Sequence, residues 1–218
     1  MKITDIAPRI IAVYAGRFHP FHRGHAEVFR ELASKFGIAN TYITTSGKVV
    51  PGTSPFDFSE KLTMMQAAGV PADHVIEETV PYSPRILPGK LGLDPSKDVL
   101  VFGVGQKDMA EDPRFGFAPL KDGTPSYFQS YKGNERKLMP FSDKKNTDGT
   151  RAGHGYVIPV ADVKFPILGK TVNSASAIRS MYTESSDEDR LKIIEELYPN
   201  GQEFYKQLKR IFDAKLGA

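Results

Sequence analysis

Short unbroken apolar runs alternate along this chain with stretches of helical spacing. Residues 9–16, RIIAVYAG, are nearly all apolar, rich in branched side chains and closed by glycine, which predicts a strand buried on both faces. Residues 25–37, HAEVFRELASKFG, instead set Phe29, Leu32, Ala33 and Phe36 at helical intervals, with Gly37 as the stop. TYITT at 41–45 predicts a second strand. SEKLTMMQAAG predicts a second helix, with Ser59 as its N-cap and Gly69 at its end. HVIEETV (74–80), DVLVFGVG (98–105) and GYVIPV (155–160) predict three more strands. The C-terminal part reads as helical. Ser186 and an acidic first turn open SSDEDRLKIIEELYP, and the last helix gathers Phe204, Tyr205, Leu208, Ile211 and Phe212 on one face.

Strand and helix alternate, so the predicted class is α/β, a doubly wound parallel five-stranded sheet with right-handed crossovers. Between 106 and 153 the periodicity dissolves into Lys, Asp, Gly and Pro interleaved with Phe115, Phe117, Tyr127, Phe128, Tyr131 and Phe141. A stretch this long is expected to be functional or locally folded, and its aromatics argue against disorder. Neither a repeat nor a linker is visible. The expected organisation is one domain over 1–218, with 106–153 as a loop-rich insertion and 186–216 as C-terminal helices.

Composition narrows the class. Hydrophobic residues at 40% and charged residues at 25% are the balance of an ordinary globular protein. A net charge of +3 suits anionic small molecules and falls short of a nucleic-acid stripe. Cysteine is absent, which excludes disulfides and thiolate metal sites. MKITDIAPRI lacks a signal-peptide core, and no apolar run approaches the roughly 20 residues that span a bilayer. A cytoplasmic protein without membrane or nucleic-acid partners is expected.

Chemistry concentrates in GRFHPFHRGH, residues 16–25, directly after the first strand. Ligands of doubly wound sheets bind at the carboxyl ends of strands, where this loop falls. Gly24 would let a phosphate approach the backbone, and the helix that follows offers unpaired N–H groups to an anion. His22 and His25 would add side-chain donors. A zinc reading of His19, His22 and His25 is disfavoured, because Pro20 and Gly24 break a helical register and no cysteine or nearby carboxylate completes the set. Packing histidines remain the plain alternative to a phosphate grip.

The same residues resemble the GxFxPxHxGH signature of the nucleotidyltransferase superfamily, matched by Gly16, Phe18, Pro20, His22, Gly24 and His25. A later family signature, SxTxIR, is similar to Ser174, Ser176, Ile178 and Arg179 in NSASAIRSMY, with serine in place of the commoner threonine. Independently of the family, Ser174 or Ser176 can cap a helix aimed at an anion, and Arg179 is a forked donor suited to phosphate. An ordinary capped helix with a solvated arginine is the alternative. TTSGKVVPGTSPFDFSEKLTMM further resembles archaeal-type nicotinamide-mononucleotide adenylyltransferases at Ser54, Pro55, Phe56 and Glu60, with Lys61 replacing an arginine. Lys48 in this stretch could reach a phosphate or be solvated.

The resemblance implies a Rossmann-like sheet in the order 3-2-1-4-5, which would bring Gly103 and Gly105 of GVGQKD beside the histidine loop and near the nucleotide. It implies transfer of a nucleoside monophosphate from a triphosphate, carried with Mg2+, to a phosphorylated small molecule, releasing pyrophosphate. His22, His25 and Arg179 would be catalytic. Gly16, Arg17, Phe18, His19, Gly24, Lys48, Gly103, Gly105, Ser174 and Ser176 would bind nucleotide or phosphate, and no residue would bind a resident metal. His22, beside a triphosphate, is expected to gain a proton on binding. ATP is favoured over CTP, because the longer Arg-Thr-Glu-Gly version of the second motif, usual in cytidylyltransferases, is absent. Nicotinamide mononucleotide is the leading acceptor.

Two departures bear on that acceptor. His19 stands where Gln or Asn is usual, and the chain has no tryptophan to stack nicotinamide, so Tyr82, Phe115 or another aromatic would substitute. The 106–153 insertion is where acceptor specificity is expected. A class I aminoacyl-tRNA synthetase is disfavoured, SDKKN being a poor KMSKS loop. A cytidylyltransferase acting on a phosphorylated alcohol, and a non-catalytic nucleotide-binding or virion assembly protein, stay open. Family members are often dimers or larger; Phe204, Tyr205 and Phe212 could serve an interface, although their spacing favours a core role.

Overall fold

The computed structural model describes residues 8–83, 86–112, 115–142, 147, 149, 153–172 and 174–217. Residues 143–146 of the SDKKN stretch and Asn173 lie outside these. In chain order the described residues form β1 (Ile10–Ala15), α1 (Arg23–Phe36), β2 (Thr41–Thr45), α2 (Phe58–Ala67), β3 (Val75–Glu77), α3 (Leu87–Lys90) and β4 (Val99–Gly105). There follow α4 (Gln106–Glu111), β5 (Phe128–Ser130), β6 (Gly155–Val160), β7 (Phe165–Ile167), β8 (Lys170–Val172), α5 (Ala175–Glu184), α6 (Asp187–Leu197) and α7 (Tyr205–Leu216).

Six strands make one sheet in the order β3-β2-β1-β4-β6-β5, and β7 and β8 form a separate antiparallel hairpin. The pairs β1·β4, β2·β3, β4·β6 and β5·β6 all run parallel. The fold is therefore the Rossmann-like α/β sheet that the sequence predicts, with the five expected strands in the expected order. The sixth strand, β5, lies at the edge beyond β6. Its three residues are all half-buried and show no alternation, so periodicity could not reveal it.

Local chemistry explains the helix ends. Gly37 ends α1 at φ 86, a conformation that costs glycine nothing. Ser186 caps α6 by accepting from Asp189 N. For α2 the expectation is corrected: Asp57 is the N-cap, in a capping box with Glu60, and Ser59 donates to the Asp57 carboxylate at 2.9 Å. The carboxylate accepts the Glu60 N–H while the Glu60 carboxylate accepts the Asp57 N–H, so two orphan donors are satisfied at once.

Contacts divide the chain into two compact units. Met1–Tyr14, Leu32–Tyr42 and Arg85–Ala161 form the first. Its core gathers Val99, Val101, Tyr131 and Tyr156, with Ile10, Phe36, Leu138 and Ile158 partly buried around them. Tyr131 packs edge-on to Phe36 with ring centroids 5.4 Å apart, and the Tyr156 hydroxyl accepts from Met139 N at 2.8 Å. Aromatic anchors thus fix part of the 106–153 segment.

Ala15–Glu31, Ile43–Pro84 and Asp162–Ala218 form the second unit. Phe56, Tyr182, Tyr198 and Phe212 are fully buried there. The Phe212 ring lies 5.3 Å from Phe56 and 5.1 Å from Tyr182, so α7 uses this aromatic for the core. Phe204 and Tyr205 are half-buried. Among the described residues no helix is long and apolar enough to cross a membrane.

Candidate functional site

The loop after β1 is tied to β2 where Gly16 N donates to Thr44 O at 3.1 Å. Phe18 takes φ 51, a left-handed conformation rarely open to a bulky residue, and folds its ring back over Gly16. A Cβ on Gly16 would stand 2.6 Å from Phe18 Cζ, so only glycine admits this turn. Packing holds the ring in place: Phe18 is buried, edge-on to Phe21 at 5.3 Å and to His25 at 5.0 Å. The Tyr198 hydroxyl donates to Phe21 O at 2.5 Å and fastens the far side of the loop. The His19–Pro20 peptide is cis.

The two histidines of the HxGH core stack with ring centroids 3.7 Å apart. Gly24 N donates to His22 Nδ1 at 3.2 Å, which places the His22 proton on Nε2 and makes that atom a donor. Phe165 of β7 packs on the His22 ring at 5.2 Å and carries the Arg23 guanidinium 4.5 Å above its centroid. Arg23 also donates to Pro166 O at 3.0 Å. A Cβ on Gly24 would lie 3.0 Å from Phe165 and 3.1 Å from His22, so the close approach this glycine permits is by those two rings.

Burial governs the charge state of the three histidines. It pushes His22 down from 6.5 to about 3, helped by Arg23. It does the same for His19, also to about 3, with Lys61, Arg179 and Arg17 adding repulsion. Burial and His22 hold His25 well below its ordinary range. All three are neutral at pH 7. Proton uptake by His22 on binding would ask a triphosphate to raise it by about 4 pKa units, or about 5 kcal/mol. His22 instead offers a neutral Nε2–H. Affinity for the magnesium–ATP complex, corrected for titration of the nucleotide itself, is accordingly expected to stay flat from pH 6 to 8; titration calorimetry checks it.

The second motif joins this loop. Ser174 caps α5 by accepting from Ala177 N at 3.3 Å, and Ser176 Oγ lies 3.3 Å from Ser174 Oγ. One turn on, the half-buried Arg179 donates to His19 O at 2.6 Å. His22, His25, His19, Phe18, Gly16, Gly24, Ser174, Ser176 and Arg179 all lie in the second unit.

Sequence reasoning missed the weight of Lys61. The side chain is fully buried on α2, beside Met64 and Met65 in the same stripe. Its ammonium donates to Arg17 O at 3.1 Å, to Thr45 Oγ1 at 3.3 Å and to Ser46 O. His19 Nε2 lies 3.5 Å away, while His19 Nδ1 accepts from Phe56 N at 3.3 Å. Burial lowers Lys61 from 10.5 to about 8, with Glu77 and Asp57 favouring its charge. Keeping it protonated at pH 7 thus costs about 3 kcal/mol. A lysine at helical spacing with two core methionines is the signal that could have found it.

The remaining expected residues are placed differently. Arg17 and Lys48 are exposed. Gly103 belongs to the first unit, paired in register with Tyr14, and a Cβ there would meet Leu32 at 2.8 Å and Val160 at 3.3 Å. Its missing side chain therefore serves packing. Gly105 is the N-cap residue of α4. Phe115 is 2% exposed and packs on Phe128, so it presents no open face for stacking a ring, whereas Tyr82 is half-exposed. Among the described residues no three of His, Cys, Asp and Glu are placed to hold a metal ion.

A Rossmann-like parallel sheet with an HxGH loop at the carboxyl end of β1 defines the class of fold. Residues 13–113, a little under half of the chain, match the family model described as Cytidylyltransferase-like, in agreement with the resemblance carried by the histidine loop. Among solved structures the chain is similar to Plasmodium falciparum nicotinic acid mononucleotide adenylyltransferase complexed with APC, at 14% identity and TM-score 0.50, covering 94% of this chain and 98% of that one. The same enzyme complexed with NaAD gives 14% identity and TM-score 0.49 over the same shares. At this identity the likeness is one of fold. A search of curated proteins finds no match.

Proposed function

We propose that the protein transfers a nucleoside monophosphate, AMP in preference to CMP, from a nucleoside triphosphate to a phosphate-bearing small acceptor, releasing pyrophosphate. One observation carries this reading: the Arg179 guanidinium bonds the His19 carbonyl, so two motifs 160 residues apart meet at one loop. The acceptor phosphate is already anionic and needs no base to attack the α-phosphorus. Catalysis then consists of positioning and of donors aimed where charge builds on phosphate oxygens. His22 Nε2–H, His25, Arg179 and the N-terminus of α5 with Ser174 and Ser176 supply such donors. The triphosphate would enter as its magnesium complex, the metal being part of the substrate.

Nicotinamide mononucleotide is the acceptor we favour. The test is magnesium-dependent pyrophosphate release with ATP or CTP against nicotinamide mononucleotide, nicotinic acid mononucleotide, phosphopantetheine, glycerol 3-phosphate and phosphocholine. Release with one pair, abolished by His25→Ala, is the expected result and names the substrates. Release with CTP and a phosphorylated alcohol would replace the adenylyl reading by the cytidylyl one. Saturable triphosphate binding without release from any pair would make the protein a nucleotide-binding component instead.

A further inference from the structure

We infer that Lys61 is a positioning residue for this site: its buried ammonium holds the loop after β1 in the shape that presents the His19 carbonyl to Arg179. The inference deepens the function proposed above and rests on it.

The sequence pattern calls for an apolar side chain at this point of α2, next to Met64 and Met65, yet a cation is buried there. Its hydrogens are spent on two loops, on Arg17 O after β1 and on Thr45 Oγ1 and Ser46 O at the end of β2. A carbonyl turned inward needs a donor, and no water-exposed partner could serve two of them at one buried point. From Arg17 the path to the arginine is short. Phe18 follows with its left-handed turn, then His19, whose carbonyl takes the Arg179 guanidinium. The start of α2 grips the same loop again where Phe56 N donates to His19 Nδ1. That bond leaves the proton on His19 Nε2, so the imidazole faces the ammonium as donor to donor and accepts nothing from it. The loop therefore depends on the oxygens for its hold on Lys61. Glu77 and Asp57 keep the ammonium charged, and Glu77 packs so closely on the loop after β2 that a Cβ on Gly47 would stand 2.1 Å from its carboxylate.

The test compares Lys61→Met, which keeps the stem and removes the donors, with Lys61→Arg, which keeps the cation. In the full chain Lys61→Met is expected to lower kcat by about 10–100-fold, since a shift of about 1 Å in a positioned group costs up to about 100-fold. Lys61→Arg should recover most of that loss. Acting through Arg179 means that Lys61→Met adds little to Arg179→Met, so the double-variant losses are strongly non-additive. A second readout needs no turnover: the Arg179 side-chain N–H resonance should be protected from exchange in the parent and in Lys61→Arg, and unprotected in Lys61→Met. Additive losses, or an Arg179 resonance indifferent to Lys61→Met, would overturn the inference. Should Lys61→Met not fold, Thr45→Val removes one acceptor and is expected to weaken the same resonance; an unchanged one would again overturn it. A parent without turnover for any substrate pair, but with the resonance pattern as expected, would sink the proposed activity and leave the loop clamp standing.

Discussion

Arg179→Met is expected to lower pyrophosphate release by about 10²–10³-fold, the usual cost of removing one donor aimed at developing charge. Its guanidinium is half-buried, and one N–H is committed to His19 O at 2.6 Å. A guanidinium carries five N–H groups in a fixed fork, so the anchored arginine keeps donors for a phosphate while its plane is set by the loop. Arg179→Lys would keep the charge and lose both fork and plane, and is expected to recover only part of the rate. Steady-state kinetics of the two variants, with kcat and KM separated, checks this. A kcat for Arg179→Met within about threefold of the parent would return the second motif to an ordinary capped helix, since a loss below about 1 kcal/mol is no transition-state role.

Acidification is expected to unfold the protein well above the pH at which its carboxylates protonate. His19, His22 and His25 are all held far below 6.5 by burial, two of them at about 3. Below pH 6.5 the unfolded chain binds protons that the folded one refuses, so this stability is complete above pH 6.5 and drains away as pH falls toward 3. At pH 5 His19 and His22 each cost about 2 kcal/mol, about 4 together, a large share of the whole stability of many domains, and His25 adds in the same direction. Denaturant titrations at pH 7, 6 and 5 should show the stability collapsing, with His22→Gln flattening the slope. Native histidine resonances that titrate near 6.5, or a stability unchanged down to pH 5, would contradict it.

The sheet was legible because its central strands β1 and β4 are apolar on both faces and the helices announce their ends with Gly37 and Ser186. The histidine loop was legible as a motif, with Gly16, His22, Gly24 and His25 read in place, but its internal logic was not. That Phe18 lies over Gly16, or that Phe165 fills the space left by Gly24, depends on rings brought together from distant segments. The capping of α2 escaped because Ser59 and Asp57 are both good caps, and only the reciprocal bond with Glu60 decides between them. In the sequence Lys61 stands only as a substitution for arginine. Its burial depends on which face α2 turns inward, and the spacing to Met64 and Met65 marks that face only once both are taken as core. β5 escaped because its three residues owe their extended form to pairing with β6 rather than to any pattern of their own.

The anchor of Arg179 is a main-chain oxygen. Every amino acid supplies that oxygen, so the clamp is written into the course of the main chain at position 19 and not into the chemistry of its side chain. The buried His19 ring, held by Phe56 N, bears on the arginine only through the path it gives that main chain, so backbone course is what a variant at this position must preserve.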